Sequence, residues 1–423
     1  MDSMIVAKFG GSTIGIDGIS IPVIIQRIST ISKNAKVIAV FSAPLTVVEG
    51  KRTSLTDVVL ELGNRAKDGR TSDLIIIKKT YEKILELVSS EFQDECKKII
   101  DDCLDKVSIE LEKAMEKKEF SDEIRSKTLA YSGEILMSYI MEYILQSQGI
   151  KSKAVKLENW PIITDNNIEY TNFILSESNK RVEHLEKSLE QNQVITIGGF
   201  IGRTTDGVIT TYERGGSDRT AADLGILFHK KFDVKIDFEK DSSVVSADPR
   251  IVKQGLTDVH NISYNEARLA GMFGMNILDP IAIKEILENG ISLPIVITDM
   301  RNPEKTTTVE RKAIDGSGHP IKIITGKKNC AILRIEDEFV HKLLESLENK
   351  KRYSEFVILS PFTKDEIKFS RILFLRCFCF LFFLRCFCFL FFLRCFCFLS
   401  IFFWNSFLWI VAICRHRNNL FFS

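Results

Sequence analysis

The chain has 423 residues, of which 45% are apolar and 27% charged, and its net charge is +1. These values are ordinary for a globular protein and leave room for two or three domains. Six Arg and no acidic residue lie in residues 371–423, so the rest of the chain is mildly acidic. This balance argues against a nucleic-acid partner.

Cysteine usage separates the same two regions. Seven of the ten cysteines lie in residues 371–423, and the other three, Cys96, Cys103 and Cys330, lack metal-ligand spacing. This pattern predicts a reducing compartment without structural disulfides. A signal peptide is not expected, because Lys8 and two glycines interrupt the first apolar run. We therefore expect a cytoplasmic protein and assign no side chain as a metal ligand.

A glycine turn follows the first predicted strand. Residues 5–13, IVAKFGGST, run from an apolar strand into Gly10, Gly11 and Ser12. The amides of such a turn can face a phosphate, and Lys8 adds a point charge. The spacing fits neither a P-loop nor a dinucleotide fingerprint. The turn is therefore predicted to handle phosphate in another way.

Strands and helices alternate through the next 200 residues. The predicted elements are helix 19–33, strand 36–42, a helix opened by the cluster 54–57, a charged helical segment 73–119, helical region 121–148, strand 153–157, helix 182–192, strand 193–200, helix 220–228 and strand 233–238. This order predicts an α/β fold, with a three-layer, mostly parallel sheet. Ligands are then expected at the carboxyl ends of the strands.

The segment 195–223 carries the second glycine-rich motif, Arg214-Gly215-Gly216-Ser217-Asp218. The glycines allow a close approach of the backbone, and the following helix start favours an anion. Arg214 offers a planar fork for a carboxylate or phosphate. The structural alternative is a tight turn whose Ser217 or Asp218 caps the helix.

The end of the first domain and the start of a second are predicted from residue 293 onward. Residues 293–298 are predicted as the last strand of the first domain, and 301–308 as a linker. Strand-turn-strand 321–335, helix 338–347 and strand 356–360 follow. This order predicts the opening of a small α+β ferredoxin-like module.

Taken together, the motifs resemble the aspartate kinases of the amino-acid kinase superfamily, over roughly residues 5–335. The matching stretches, in the family's order, are KFGGST from Lys8, SGEILMS from Ser132, GGFIGR from Gly198, RGGSDRTAA from Arg214, SADPRIV from Ser246 and ISYNEARLAGMFGMNILDP from Ile262. The resemblance implies a catalytic domain over 1–305, with a helical insertion at about 73–119. It also implies an ACT-like regulatory module, for which 318–370 has room only in part.

The resemblance also implies the roles of individual residues. The implied catalytic residues are Lys8 and Asp218, which could orient Lys8 or the metal. The implied substrate-binding residues are Arg214 for the α-carboxylate, Glu134 for the ammonium group, and Thr56 and Ser217 for the carboxylate that is phosphorylated. The implied ATP-binding residues are Lys8, Gly10, Gly11, Ser12, Asp241 and Arg250. For Thr56 a plain helix cap is the alternative, and for Glu134 an ordinary surface position on a helix.

Two stretches depart from the family pattern. Glu239-Lys240 stands where most members carry Thr-Asp, and Asn276 stands where a Lys is common. Asp279-Pro280 replaces the usual His-Pro. These departures put nucleotide affinity in question more than aspartate binding.

The implied activity is the Mg²⁺-dependent transfer of phosphate from ATP to the β-carboxylate of L-aspartate. In the family this is the first step towards lysine, threonine and methionine, and the enzymes are usually dimers or larger, so a homodimer is expected. One alternative is a kinase of another small carboxylate, such as glutamate or a carbamate-like group. The other is a catalytically weak regulatory subunit that binds an amino acid.

The tail, residues 371–423, has a different composition. From residue 374 the unit FLRCFCFLF occurs three times, with Ser as the last residue of the third copy. A shifted reading frame is the favoured interpretation. A membrane anchor at 395–414 and a soft-metal site at the Cys-x-Cys pairs are the alternatives. We expect low order and poor solubility in this tail.

Overall fold

The chain divides into two units. The first comprises residues 1–244, 257–268 and 277–316, and the second comprises 245–256, 269–276 and 317–423. The structure, a computed structural model, describes residues 2–70, 73–213, 215–275, 277–312, 321–327, 331–336, 341–342, 345, 356–364, 367–374 and 410–415.

Secondary structure alternates through most of the described chain. The strands are β1 (Ser3–Phe9), β2 (Lys36–Phe41), β3 (Leu45–Val48), β4 (Lys51–Ser54), β5 (Ser152–Ala154), β6 (Val194–Gly198), β7 (Ile201–Arg203), β8 (Ile209–Thr211), β9 (Asp233–Lys240), β10 (Asn261–Ser263), β11 (Ile295–Asp299), β12 (Thr306–Glu310), β13 (Ile321–Lys327), β14 (Ala331–Glu336), β15 (Phe356–Lys364), β16 (Ile367–Phe374) and β17 (Ile410–Arg415). The helices are α1 (Gly11–Ile14), α2 (Ile21–Ile31), α3 (Leu55–Lys67), α4 (Ile75–Leu85), α5 (Ser90–Lys117), α6 (Asp122–Ser132), α7 (Glu134–Ser147), α8 (Leu175–Asn179), α9 (Glu183–Gln191), α10 (Ser217–Phe228), α11 (Tyr264–Met272) and α12 (Pro280–Glu288), with a 3₁₀ turn at Leu157–Asn159.

An eight-stranded sheet organises the first unit, in the order β10-β12-β11-β9-β1-β2-β6-β5. Every pair is parallel except β11 with β12. The central strands are apolar and buried on both sides, as parallel strands covered by helices must be. The predicted α/β fold with a mostly parallel sheet is confirmed.

Helices cover both faces of this sheet. On one face, Thr196 Oγ1 of β6 donates to the Ser138 carbonyl of α7, 2.8 Å away. On the other face, Gly225 lets α10 approach β9 closely, because a β-carbon there would lie 2.8 Å from the Ile236 side chain. The sheet is therefore the middle of three layers, and its strand ends face the starts of helices from both sides.

Most predicted elements are observed, with differences that have physical causes. The helical region 121–148 is two helices, because Gly133 leaves the helical conformation at φ −123° and ψ −100°. The charged segment 73–119 contains α4 and α5, and its break falls at 86–89.

The linker predicted at 301–308 is wrong in its second half. Thr306–Glu310 forms β12, which pairs with β11 and buries Thr307 and Val309. This is an alternating strand, and its threonines suit a half-buried position in a sheet.

In the second unit, β14, β16 and β15 form an antiparallel sheet, and β13 pairs with β17. The predicted strand-turn-strand at 321–335 is two strands of different sheets. Most of the predicted helix 338–347 lies outside the described residues, and the ACT assignment stays a prediction.

The tail is described at two places only. The first four tail residues end β16, and residues 410–415 form β17, so these ten residues differ from the low order expected there. The rest of the tail lies outside the described residues. In the part of the chain that the structure describes, none of the helices has the length and apolar character needed to cross a membrane.

Candidate active site

The candidate site lies where four strands of the large sheet end. The carboxyl ends of β1, β2, β6 and β9 are neighbours, and the starts of α1, α7 and α10 meet them. In parallel α/β sheets this edge is the usual place for a ligand.

A buried ion pair stands at its centre. Lys8 Nζ lies 2.7 Å from Asp218 Oδ1, and the two residues are only 7% and 5% exposed. The amide of Asp279 donates to Asp218 Oδ2 at 2.9 Å. Burial alone would raise the pKa of Asp218, but the Lys8 and Lys240 ammonium groups lower it below its ordinary value. Asp218 is therefore an anion that fixes Lys8 in place.

The glycine turn packs directly against this pair. A β-carbon at Gly10 would lie 3.1 Å from Lys8 Nζ, and one at Gly11 would lie 2.7 Å from the Ala43 carbonyl oxygen. The turn then enters α1, whose first amides lack partners within the helix. Lys8 and these amides thus lie together at the end of β1, as the sequence predicted.

Glu134 opens α7 and is 5% exposed, so it is not an ordinary surface residue. Burial raises the pKa of its carboxyl to about 7, although the amides of Glu134 and Ala43 oppose this shift. Tyr81 fixes the preceding turn, because its hydroxyl donates to the carbonyls of Ser132 and Gly133 at 3.0 Å. A buried carboxylate in such a position suits a cationic partner.

Ser217 begins α10 and is linked to β2 by a residue that the sequence did not single out. Ser42 Oγ donates to Ser217 Oγ at 2.9 Å. Ser42 directly follows β2, and its position at the carboxyl end of a buried strand could have identified it as a site residue.

Two glycines at the end of β6 set how closely the helix starts approach the sheet. A β-carbon at Gly198 would lie 2.8 Å from the carbonyl group of Glu134, and one at Gly199 would lie 2.6 Å from Ser217 Cβ. Neither distance is tolerable. These glycines therefore serve close packing between site elements.

The second motif forms the predicted tight turn. Gly215 has φ +100°, and the Asp218 amide donates to its carbonyl at 3.1 Å. The alternative, a cap by Ser217 or Asp218, is wrong, because Gly216 is the N-cap and no side chain caps the helix. Both side chains instead point to Ser42 and Lys8. Arg214 lies outside the described residues.

Thr56 lies in the first turn of α3, half-buried. It is not the cap, since Ser54 accepts the Asp57 amide at 3.1 Å. Among the described residues no hydrogen bond joins Thr56 to Lys8, Glu134 or Ser217, so its role stays a prediction.

The remaining predicted ATP contacts fall in two places. Ser12 and Asp241 line one open cavity of about 620 Å³, a size suited to a small ligand. Arg250 belongs to the second unit, where it is paired with Asp248 at 2.6 Å. Its contact with ATP stays a prediction.

Glu239 departs from the family pattern but is held by a partner. Its side chain is fully buried and lies 2.6 Å from Arg27 of α2, and Thr13 donates to its carbonyl. Burial and the neighbouring Asp237 raise the pKa of Glu239 to about 7, while Arg27 lowers it. This group is part of the scaffold. Asn276, the other departure, lies outside the described residues.

Comparisons with known proteins agree with this architecture. The sequence matches the Amino acid kinase family over residues 3–299. An aspartokinase of Rickettsia felis is 32% identical over 206 residues, which cover 48% of this chain and 49% of that protein. A bifunctional aspartokinase/homoserine dehydrogenase of Arabidopsis thaliana is 26% identical over 346 residues, which cover 79% of this chain and 36% of that protein.

A solved structure of E. coli aspartokinase III in complex with aspartate and ADP has a TM-score of 0.69 and 20% identity, and the match covers 88% of this chain and 79% of that one. At this identity the likeness shows a shared fold. The chain spans about half the length of the Rickettsia relative and less of the Arabidopsis protein.

Proposed function

Because the chain belongs to the amino acid kinase family, we propose that it transfers the γ-phosphoryl group of ATP to the β-carboxylate of L-aspartate. The products are 4-phospho-L-aspartate and ADP. The observation that carries this proposal is the buried Lys8–Asp218 pair at the glycine turn, with the buried Glu134 at the start of α7. The curated relatives named above are aspartokinases, which supports aspartate as the acceptor.

The acceptor would be held by its charges. Glu134 is the buried carboxylate for the ammonium group, and a bound cation would bring its pKa back down from about 7. Ser217, oriented by Ser42, would contact the carboxylate that is phosphorylated. Arg214 and Thr56 are assigned to the α-carboxylate and the reacting carboxylate on the sequence resemblance.

The chemistry needs no base. A β-carboxylate oxygen, already ionised at neutral pH, attacks the γ-phosphorus, and a new O–P bond forms. The bond from the γ-phosphorus to the bridging oxygen breaks, and ADP leaves with that electron pair. Lys8 and the amides of the glycine turn then act by positioning the phosphate and neutralising its charge. Asp218 holds the Lys8 amine in position through their ion pair.

ATP would enter with its phosphates at Lys8, Gly10 and Gly11. The cavity lined by Ser12 and Asp241 adjoins this turn and has room for more of the nucleotide. Within the described ranges no three His, Cys, Asp or Glu side chains cluster as metal ligands. Mg²⁺ is therefore expected to come bound to the ATP phosphates, where it would neutralise charge.

Two alternatives differ in chemistry. A kinase of another small carboxylate would use the same Lys8 and glycine turn with a different acceptor. A weak regulatory subunit was suggested by Glu239-Lys240 and Asn276, but Glu239 is engaged by Arg27 of α2. Aspartate as acceptor is favoured, since the curated relatives named above are aspartokinases. A homodimer, a cytoplasmic location and a role in lysine, threonine and methionine synthesis belong to the same proposal.

The test is to trap the acyl phosphate with hydroxylamine, using the full chain, Mg-ATP and L-aspartate, L-glutamate or no acceptor. We expect hydroxamate with aspartate only. Lys8→Ala should lower the rate about 10²–10³-fold, as loss of a charge at a developing anion does. Lys187→Ala, an exposed lysine on α9, is the matched control and should keep the wild-type rate.

A folded wild-type chain that forms no aspartate-dependent hydroxamate would contradict the proposal. Hydroxamate with glutamate would move the assignment to the first alternative. Tight binding of aspartate without turnover would support the second.

A further inference from the structure

We propose that Lys240 is a second catalytic cation that contacts the transferred phosphoryl group together with Lys8. The inference rests on the proposed phosphoryl transfer and concerns a residue that the sequence treated only as a departure from the family. Four observations carry it: the register of β9, the contacts of its opposite face, the position of α10, and the lack of an ion pair to the amine from any described residue.

The register places Lys240 on the same face of the sheet as Lys8. β1 and β9 are parallel neighbours, with Lys8 opposite Phe238 and Phe9 opposite Glu239. Side chains alternate along a strand, so Lys8 and Phe238 share one face. Lys240, two residues after Phe238, lies on the same face. It is therefore two residues closer to the carboxyl edge of the sheet than the partner of Lys8.

The opposite face provides an internal check. Asp237 and Glu239 must both point away from Lys8 if the alternation holds. Both do: Arg27 of α2 lies 2.6 Å from Glu239 and 3.8 Å from Asp237. The strand therefore keeps its regular alternation through Glu239, the residue before Lys240.

The Lys8 face is the one that α10 covers. Asp218, in the first turn of α10, contacts Lys8 at 2.7 Å, and Gly225 of the same helix meets Ile236 of β9. Lys240 thus extends towards the start of α10. Both Asp218 and Lys8 are near enough to act on the charge of its amine.

The Asp218 and Asp241 carboxylates act on the Lys240 amine only from a distance. Among the residues that the structure describes, none forms an ion pair with it, whereas Asp218 is already paired with Lys8. The three groups Lys8, Asp218 and Lys240 therefore carry one net positive charge at the edge where a phosphate is expected. An unpaired ammonium that is partly buried is stabilised by an anionic ligand, and the γ-phosphate is the anion this site would receive.

The role in transfer follows from charge. As the bond from the γ-phosphorus to the bridging oxygen breaks, negative charge grows on the leaving ADP oxygen and stays on the phosphoryl oxygens. Lys8 shares its charge with Asp218, so Lys240 supplies the uncompensated cation. No proton moves to or from Lys240 in this step.

The experiment compares Lys240→Met and Lys240→Arg with wild type in the hydroxamate assay. We expect Lys240→Met to lower kcat about 10²–10³-fold, with the KM for aspartate within about threefold. Lys240→Arg should recover part of the rate because it keeps the charge. Lys230→Met, an exposed lysine in the loop before β9, is the matched control. Circular dichroism melting checks that each variant folds.

The pH profile separates a catalytic role from a structural one. Burial and the Lys8 charge lower the pKa of Lys240, and Asp218 and Asp241 oppose this. Asp299 is its register neighbour on β11, where its carboxylate accepts from Arg301 and Asn302. The wild-type rate should therefore fall as pH rises through the lowered pKa of Lys240. Lys240→Arg should lack this fall, since an arginine stays charged.

A kcat for Lys240→Met within threefold of wild type, while Lys8→Ala is inactive, would overturn the inference. If wild type forms no hydroxamate, the proposed function fails, and lysine acylation followed by mass spectrometry tests Lys240 by itself. Protection of Lys240 by Mg-ATP but not by L-aspartate would support it. Equal labelling with and without Mg-ATP would overturn it. Because the labelling uses the wild-type chain, it also decides the question if Lys240→Met does not fold.

Discussion

At the end of β9, buried charges are compensated differently on the two faces of the sheet. The face that contacts α2 is called the α2 face, and the face that α10 covers is called the α10 face. On the α2 face, Glu239 and Asp237 are buried and closed off by Arg27, Thr13 and Thr298. On the α10 face, Asp218 is paired with Lys8, and its charge also acts on Lys240. Two residues adjacent in sequence, Glu239 and Lys240, thus belong to different environments.

This difference indicates what each face is for. A buried charge whose partners are all within the protein contributes to the scaffold and gains nothing from a ligand. A buried cation in excess becomes fully compensated only when an anion binds. The departure Glu239-Lys240, taken as a single unit in the sequence, is therefore a structural residue followed by a residue of the site.

The largest effect is expected when the cation of the α2 face, Arg27, is removed. Arg27→Met should lower the free energy of unfolding by about 3–5 kcal/mol, because two buried carboxyl groups lose their partner. Urea unfolding would measure it. The double variant Arg27→Met/Glu239→Gln should recover part of the loss, because one of the buried acids is gone.

A matched control is Arg181→Met, an exposed arginine before α9, which should change stability by less than about 0.5 kcal/mol. If Arg27→Met is as stable as this control, the α2 face is not held by its charges.

The pH dependence of stability gives a smaller effect. The pKa of Glu239 is raised to about 7, above its unfolded value, so the folded state favours the protonated form. The contribution of this group is present below pH 4.5 and is lost as pH rises through 7. Compared with wild type, Glu239→Gln should gain about 1–3 kcal/mol in relative stability between pH 5 and pH 8.

Chemical unfolding of both proteins at several pH values measures this. The raised pKa values of Glu134 and Asp279 are present in both proteins and cancel in the difference. A difference that stays constant across the range would show that Glu239 is ionised throughout.

The smallest effect concerns the α10 face. Ser42→Ala removes the hydrogen bond to Ser217 and should cost about 1 kcal/mol. If Ser217 contacts the acceptor, that cost should appear as a roughly fivefold higher KM for aspartate rather than as a lower melting temperature. Ser188→Ala, on the exposed side of α9, is the control. An unchanged KM would remove Ser217 from the acceptor site.

Local patterns predicted much of this molecule. The apolar strands, the glycine turn after Lys8 and the start of α10 follow from short-range residue types, and the structure contains all three. Residues 306–308 were predicted as the end of a linker, but they belong to β12. Its pairing with β11 is a long-range contact that composition does not report.

The site was predictable as far as single motifs reach. Lys8 and Asp218 were expected together and lie in contact. Ser42 was missed because its role depends on which strand ends are neighbours, and Lys240 because its face depends on the register between β1 and β9. Both are properties of strand pairs rather than of any segment by itself.

Gly198 and Gly199 have a consequence for how this protein can vary. The space beside them is already filled by the backbone of Glu134 and by Ser217, so even an alanine would force one helix start away from the sheet. In a saturation-mutagenesis library, these two positions should reject every substitution, because any side chain there would displace a helix start. Backbone packing at these two glycines thus fixes the distance between the start of α7, at Glu134, and the start of α10, at Ser217. Mutations can therefore change the side chains that bind a ligand more readily than they can change this distance.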